Sequence, residues 1–221
     1  MFDTAHNTAP RFYAACLASY NNGVLHGAWI DASTDTDEMQ EQVDAMLRAS
    51  KFTNVTVDCP ECDGAGLTYH GPKDAQCDRC TNCAGKGTVP SAEEMAIHDY
   101  DGLPATLGEY CGLDAIAEYM EFIEAVEETG TDDPAALAQA MVENWHEITY
   151  AKDALDNYMG TYSSFRDYAD DAADEMIACH TADGNAPQML INYFDYEAWA
   201  RDLAIEMTAL DVPGGVAVFS A

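Results

Sequence analysis

The chain has 221 residues and a formal net charge of −31, from 40 Asp and Glu against nine Lys and Arg. Its 48% hydrophobic content and its 12 Tyr, seven Phe and three Trp favour a folded protein, because charge-driven disorder goes with few aromatic residues. The charge argues against binding to nucleic acid or anionic membranes, since both are polyanions that recruit Lys and Arg. A charged partner should therefore be basic.

The sequence has neither the roughly 18 consecutive apolar residues of a membrane span nor a signal-peptide pattern in its first residues. Residues 1–9 are mostly small and polar, and we expect a flexible end there. Five of the eight cysteines fall between Cys59 and Cys83, an arrangement that suits metal binding better than disulfides. We therefore expect a cytoplasmic protein in a reducing compartment.

An N-terminal α+β domain is predicted over residues 10–103. The apolar run at 11–19 predicts a strand, and the NNG sequence that follows tolerates a turn into a second strand at 25–30. A helix should follow and lie on this hairpin, with Thr34 or Thr36 as a hydroxyl cap. Its predicted buried face consists of Met39, Val43, Met46 and Leu47.

A cysteine-rich insertion is predicted within this domain, at residues 58–88. The segments at 52–57 and 95–98 are both β-like, and they lie on either side of the insertion. We expect them to be two parts of a single third strand, which the insertion separates.

Two CxxC pairs, at Cys59 and Cys62 and at Cys80 and Cys83, have the spacing of a four-thiolate zinc site. Cys77 offers an alternative pair with Cys80. Four thiolates leave no open coordination position, so zinc should be structural. The repeats CPECDGAG and CTNCAGKG resemble the CxxCxGxG zinc-binding repeats of DnaJ-type chaperones, in which glycines let the backbone turn tightly around the sulfurs. With only two repeats, the resemblance does not extend to chaperone activity.

Two more domains are predicted beyond the insertion, a helical middle domain at 104–147 and a C-terminal α+β domain at 148–221. The middle domain should hold a helix at 113–128 and a second helix that starts at Asp133 and Pro134. The C-terminal domain should hold helices at 163–178 and 195–207, a loop around Asp183 and a strand at 216–219. The predicted class is α+β, with three small domains and an inserted zinc knuckle.

The helix at 163–178 has the sharpest amphipathic pattern. Its predicted buried face consists of Phe165, Tyr168, Ala169, Ala172 and Met176. Like charges at i,i+4 on its other face each cost about 0.2–0.5 kcal/mol, and we expect nothing inside the helix to offset them. The benefit should lie with a partner. The residues expected to bind that partner are Asp114, Glu118, Glu121, Asp167, Asp170, Asp171 and Asp174.

Five segments, taken in order, resemble the ArdA family of antirestriction proteins. They are RFYAACLASYN at 11–21, GxLHGxWIDA at 23–32, AIHDYDG at 96–102, YMGTY at 158–162 with its acidic continuation, and FDYEAWARDL at 194–203. The resemblance covers nearly the whole chain except the cysteine block, which members of the family generally lack. It implies an elongated three-domain DNA mimic, not an enzyme, that forms a homodimer. Its partner would be the methyltransferase core of a type I restriction-modification enzyme, whose DNA-binding groove it would occupy.

Three other interpretations remain open. Salt adaptation also produces acidic, Lys-poor chains and needs no partner. The insertion at 58–88 would be the active part of a zinc-ribbon adaptor or cochaperone. A DNA mimic would equally fit another DNA-binding protein, such as a nucleoid protein or a repressor.

Overall fold

The computed structural model describes residues 9–69, 77–179 and 188–220. Contacts divide the chain into two compact units, Met1–Ala117 and Glu118–Ala221. Both units combine helices with small antiparallel sheets, so the predicted α+β class is confirmed. The division into three domains stays a prediction. Within the described residues, no helix is both long enough and apolar enough to cross a membrane.

The strands of the first unit are β1 (Arg11–Cys16), β2 (Gly27–Asp31), β3 (Val55–Asp58), β4 (Leu67–Tyr69), β5 (Cys77–Arg79), β6 (Thr88–Ser91) and β7 (Met95–Asp101). The unit is built on an antiparallel sheet in the order β2-β1-β7. Its helices are α1 (Leu17–Asn21), α2 (Thr36–Arg48) and a 3-10 turn (Ala105–Leu107), and the first residues of α3 (Leu113–Glu127) also belong to it.

The predicted hairpin and the helix on it are confirmed. Strands β1 and β2 pair antiparallel, and α2 packs on them. The predicted buried side chains of α2 are all buried. Two local details differ. The first strand ends at Cys16, where α1 begins, and the cap of α2 is Asp35, which accepts the backbone N–H of Asp37 and of Glu38. Thr36 is already the first residue of the helix, so Asp35 occupies the N-cap position, where aspartate is a preferred residue.

The prediction of a split third strand is wrong. Strand β7 alone pairs with β1, whereas β3 pairs with β6 in a separate two-stranded ribbon. A second ribbon, β4 with β5, lies further along the insertion. The β-like pattern of the segment before the insertion was correct, but strand partners are chosen by tertiary contacts that the pattern does not contain. The β3–β6 ribbon is the stem of the cysteine block.

The strands of the second unit are β8 (Tyr158–Tyr162), β9 (Met207–Val212) and β10 (Gly215–Ser220). They form an antiparallel sheet in the order β8-β10-β9, on which helices pack. The helices of this unit are most of α3, then α4 (Pro134–Trp145), α5 (Ile148–Leu155), α6 (Phe165–Cys179), α7 (Gln188–Tyr193) and α8 (Tyr196–Glu206). The predicted loop around Asp183 and most of the predicted flexible end lie outside the described residues.

The core of the second unit is aromatic and aliphatic. Tyr119, Phe122 and Val126 of α3 are fully buried, and Phe219 of β10 contacts the ring of Trp145 edge to face at 5.1 Å. As predicted, Asp133 caps α4, by accepting the N–H of Ala136 at 3.1 Å. The apolar face of α3 packs into this core, so its carboxylates lie on the opposite face.

Candidate metal centre and acidic surface

Four cysteine side chains from the two CxxC motifs converge at one buried point in the first unit. They are Cys59, Cys62, Cys80 and Cys83, and their sulfur atoms all lie within 4.8 Å of one another. The Sγ atoms of Cys59 and Cys80, the first cysteine of each pair, are 3.8 Å apart, and so are those of Cys62 and Cys83. A tetrahedral ion with bonds of about 2.3 Å to sulfur sets its ligands about 3.8 Å apart. The cluster therefore has the dimensions of a four-thiolate metal site.

The two CxxC turns share one backbone conformation. The residue after each second cysteine has a positive φ, 47° at Asp63 and 50° at Ala84. In each turn a glycine N–H then donates to the Sγ of the second cysteine, from Gly66 at 3.2 Å and from Gly87 at 3.3 Å. Donors of this kind favour the thiolate over the thiol. The repeated sequence thus builds two equivalent halves of one site.

Gly66 and Gly87 lie where the two halves meet. The N–H of Cys59 bonds to the carbonyl oxygen of Gly87 at 2.8 Å, and the N–H of Cys80 bonds to that of Gly66 at 3.0 Å. Both glycines have a positive φ, of 74° and 77°, and a Cβ on Gly66 would be 2.8 Å from the carbonyl oxygen of Gly85. A side chain at either glycine would strain the turn and push the halves apart.

The buried thiols differ in acidity. Burial raises the pKa of the Cys62 thiol to about 12. Burial also acts to raise the pKa of Cys83, but the N–H of Gly87 and the neighbouring thiols outweigh it and lower that pKa to about 7. Four negative sulfurs at this spacing repel one another strongly where water is excluded. A divalent cation removes that repulsion, so the donor set fits a metal ion.

Cys77, the alternative ligand, lies outside this cluster. It is exposed on β5, opposite Tyr69 in the ribbon. Asn82 was not predicted to take part, yet its Nδ2 donates to the Sγ of Cys59 at 3.4 Å. The sequence signal for this contact was an amide side chain between the two cysteines of the second CxxC pair. The role of the four clustered cysteines as ligands stays a proposal.

Helix α6 carries carboxylates on the side opposite its buried stripe. Asp167, Asp171 and Asp174 are exposed, and Asp170 is half-buried. These four residues are called the α6 carboxylates. The charged side of this helix thus lies where its amphipathic pattern predicts.

The predicted buried stripe of α6 is partly wrong. The fully buried residues are Tyr168, Ala169, Ala173 and Ile177, whereas Phe165, Ala172 and Met176 are only partly buried. Helix α8 and the sheet both contact α6, so the centre of its buried face is rotated from the one that periodicity selects. The rotation leaves the α6 carboxylates on the outer side.

Two serine hydroxyls hold Asp167. Ser163 donates its Oγ–H to the carboxylate at 2.5 Å and Ser164 does so at 2.9 Å, while the N–H of Asp167 donates to the Oγ of Ser164 at 3.1 Å. The bond from the N–H of Asp167 makes Ser164 the N-cap of α6. These hydroxyl bonds lower the pKa of Asp167 from its ordinary value, because they favour the charged form.

The expectation that nothing inside α6 offsets its charge is wrong. Arg166 lies one turn before Asp170, and its Nε is 2.7 Å from the Oδ1 of that carboxylate. From α8, the hydroxyl of Tyr196 donates to Asp174 at 2.5 Å, and this bond raises the pKa of Tyr196. The chain therefore positions three of the α6 carboxylates and relieves part of their mutual repulsion.

The predicted partner-binding residues of α3 are also exposed. Asp114 lies in the first turn, where the helix dipole stabilises a carboxylate. Glu118 and Glu121 follow at helical spacing, and Glu118 accepts the Nζ of Lys152 at 3.3 Å. Their exposure is compatible with partner binding, which stays a prediction.

Each Lys and Arg side chain of the second unit is paired within the chain. Lys152 and Arg166 have the partners described, and Arg201 lies 3.4 Å from Asp202. The unit carries 22 Asp and Glu against these three cations. In the described part of this unit, no free cation interrupts the negative surface.

Comparison with known families gives one result that covers the chain. The model of the antirestriction protein (ArdA) family matches residues 12–218. Among curated proteins, none matches the chain.

Proposed function

Because the chain belongs to the ArdA family of antirestriction proteins, we propose that it is a DNA mimic that inhibits type I restriction-modification enzymes. In this proposal a homodimer occupies the DNA-binding groove of the methyltransferase core. Restriction and modification of incoming DNA then both fall, since both need that groove. The protein acts in the cytoplasm by binding and catalyses no reaction.

The observation that carries the proposal is the excess of negative charge in the second unit, which has 22 Asp and Glu against three Lys and Arg. A DNA-binding groove is lined with Lys and Arg, and it attracts a surface on which carboxylates replace phosphates. Carboxylates one helical turn apart lie within the Debye length of about 8 Å at physiological salt, so such a groove meets them as a continuous potential. The ion pairs within the chain leave most carboxylates available for this role.

The amount of charge also matches a duplex of useful length. B-DNA carries one negative charge per roughly 1.7 Å of axis, so the 31 net charges of one chain equal those of roughly 53 Å of duplex. A homodimer carries the charge of about twice that length. This is enough to replace a long recognition site.

A competition titration tests the proposal. Purified protein is added to a type I methyltransferase core bound to a labelled duplex with its recognition site, at near-physiological salt. We expect displacement near one dimer per enzyme, with no binding of the protein to the duplex. No displacement by a large excess of folded protein would refute the type I target.

A pair of matched variants tests which carboxylates matter. Asp171→Asn with Glu175→Gln removes two exposed charges of α6 that have no described partner. Glu41→Gln with Glu93→Gln removes two exposed charges of the first unit and serves as the control. We expect the α6 pair to raise the half-displacement concentration about 2- to 30-fold, from about 0.2–1 kcal/mol per exposed charge. If both pairs of substitutions raise the half-displacement concentration equally, α6 is not a preferred contact of the enzyme.

We also propose that the cysteine cluster holds zinc in a structural role. Four thiolates complete a tetrahedral shell and leave no position for water or substrate. Iron accepts the same tetrahedral sulfur set, so elemental analysis of the purified protein is the test. We expect one zinc per chain, and an iron content near one would overturn this assignment.

A further inference from the structure

We infer that the metal ion is the core of the cysteine block, and that residues 55–69 and 77–91 fold only when it is bound. The inference rests on the proposed zinc site. It concerns the block alone and is independent of the charge of the second unit.

The described part of the block has almost no other core. The side chains buried between positions 55 and 90 are those of the four clustered cysteines, and Val89, which packs against them, is only partly buried. Leu67 of β4, the largest aliphatic side chain in the described part of the block, is exposed. Segments below about 40 residues usually need a metal or disulfides to fold, because they bury too little apolar surface. In this block the cysteine sulfurs occupy the place of a hydrophobic core.

The strands of the block do not replace that core. The β3–β6 ribbon has four residues in each strand and the β4–β5 ribbon has three. Two-stranded ribbons are marginal in water on their own, and the β3–β6 ribbon meets α2 through β6. The first knuckle, residues 59–66, runs from β3 to β4, and the second, residues 80–87, runs from β5 to β6. Hydrogen bonds at Gly66 and Gly87 join the two knuckles, so an ion held by both knuckles fixes both ribbons.

The rest of the first unit does not depend on the block. Its sheet contains β2, β1 and β7, and its buried core includes Phe12, Ile30, Met39 and Ile97. The two parts join at Ser91 and Ala92, which are buried, and the N–H of Ala92 bonds to the carbonyl oxygen of Leu47 in α2 at 3.2 Å. Unfolding of the block should therefore stop at this anchor and leave the sheet intact, as local unfolding does elsewhere in proteins.

Hydrogen exchange on the full-length protein, with and without a metal chelator, tests the inference. We expect chelation to lower the protection factors of the backbone amides of Cys59, Gly66, Cys80 and Gly87 by at least 100-fold. Amides of β1 and β7 should keep their protection. Unchanged protection in the block would overturn the inference, and so would loss of protection throughout β1 and β7.

Cysteine variants make the test specific to the cluster. Because the two knuckles are equivalent, Cys59→Ser and Cys80→Ser should each lose the bound zinc and the protection of both ribbons. Cys77→Ser removes the exposed thiol of β5 and is the matched control, which should keep one zinc per chain. A Cys80→Ser protein that keeps the protection of both knuckles without metal would refute metal-dependent folding.

The same measurements separate this inference from the proposals on which it rests. Purified protein without bound metal, but with a protected block, would refute the zinc site itself. Protein with one zinc, whose block stays protected after chelation, would refute only the folding inference. Inhibition of the type I enzyme is scored in the displacement assay, so its absence would leave the metal result standing.

Discussion

Tyr119→Phe should stabilise the second unit. Tyr119 lies on α3 with its side chain fully buried, and no described residue hydrogen-bonds to its hydroxyl. Burial, with a smaller contribution from the charge of Glu143, raises the pKa of this phenol, so the group stays neutral. A phenylalanine keeps the ring in the same core and removes only the unpaired polar atom.

The expected gain follows from the cost of that atom. A buried polar group without a hydrogen bond costs about 1–3 kcal/mol, and an apolar replacement of the same shape recovers much of it. A gain of about 1–2 kcal/mol raises the Tm by roughly 2–8 °C for a protein of this size. Since the change lies in the core, we expect displacement of DNA from the methyltransferase core to be unchanged.

Calorimetry of wild type and variant is the assay, and Tyr158→Phe is the control. The hydroxyl of Tyr158 lies 2.7 Å from the Oγ1 of Thr161, so deleting it loses a hydrogen bond and should cost about 0.5–1 kcal/mol. The two deletions should therefore shift the Tm in opposite directions. A Tm that falls for Tyr119→Phe would show that the buried hydroxyl is paired and would refute the reasoning.

Three further predictions concern local hydrogen bonds. Asp35→Ala should cost about 1 kcal/mol by removing the cap of α2, whereas Asp35→Asn should keep most of it, as measured by the Tm of the first unit. Gly66→Ala should weaken retention of zinc against a chelator, and Ala65→Gly, beside it, should not. By NMR, the pKa of the Asp167 carboxylate should lie below the ordinary value of an aspartate, and Ser163→Ala should raise it. An unchanged pKa would mean that the hydroxyl bond is not formed in solution. Because the folded-state pKa of Asp167 is depressed, the stability it contributes is present above the unfolded pKa and is lost as the pH falls through the folded value.

The cysteine block shows how far spacing alone predicts a site. Two CxxC pairs with glycine at fixed offsets predict a four-sulfur cluster, and the described structure brings these four sulfurs together. The spacing did not reveal that the block stands on its own ribbon. Strands β3 and β7 have similar β-like sequences, and only their partners distinguish them: β3 pairs with β6, and β7 pairs with β1.

Helix α6 also shows what a local pattern predicts and what tertiary packing decides. Periodicity predicted that the α6 carboxylates face outward, and they do, because a helix buries one side and exposes the other. It misplaced part of the buried stripe, because the packing of α8 and the sheet sets the rotation of the helix. The hydrogen bond from Tyr196 to Asp174 joins residues far apart in the chain, so no local pattern contains it.

The sequence by itself determined the acidity, the α+β class, the main helices and the cysteine cluster, because each follows from composition or from short, regular spacing. The tertiary structure alone decided which strands pair, which carboxylates are held by hydroxyls or cations, and that the described part of the cysteine block lacks an apolar core. These features depend on contacts between residues distant in the chain, and the free energy of such contacts is set by packing and burial rather than by local pattern.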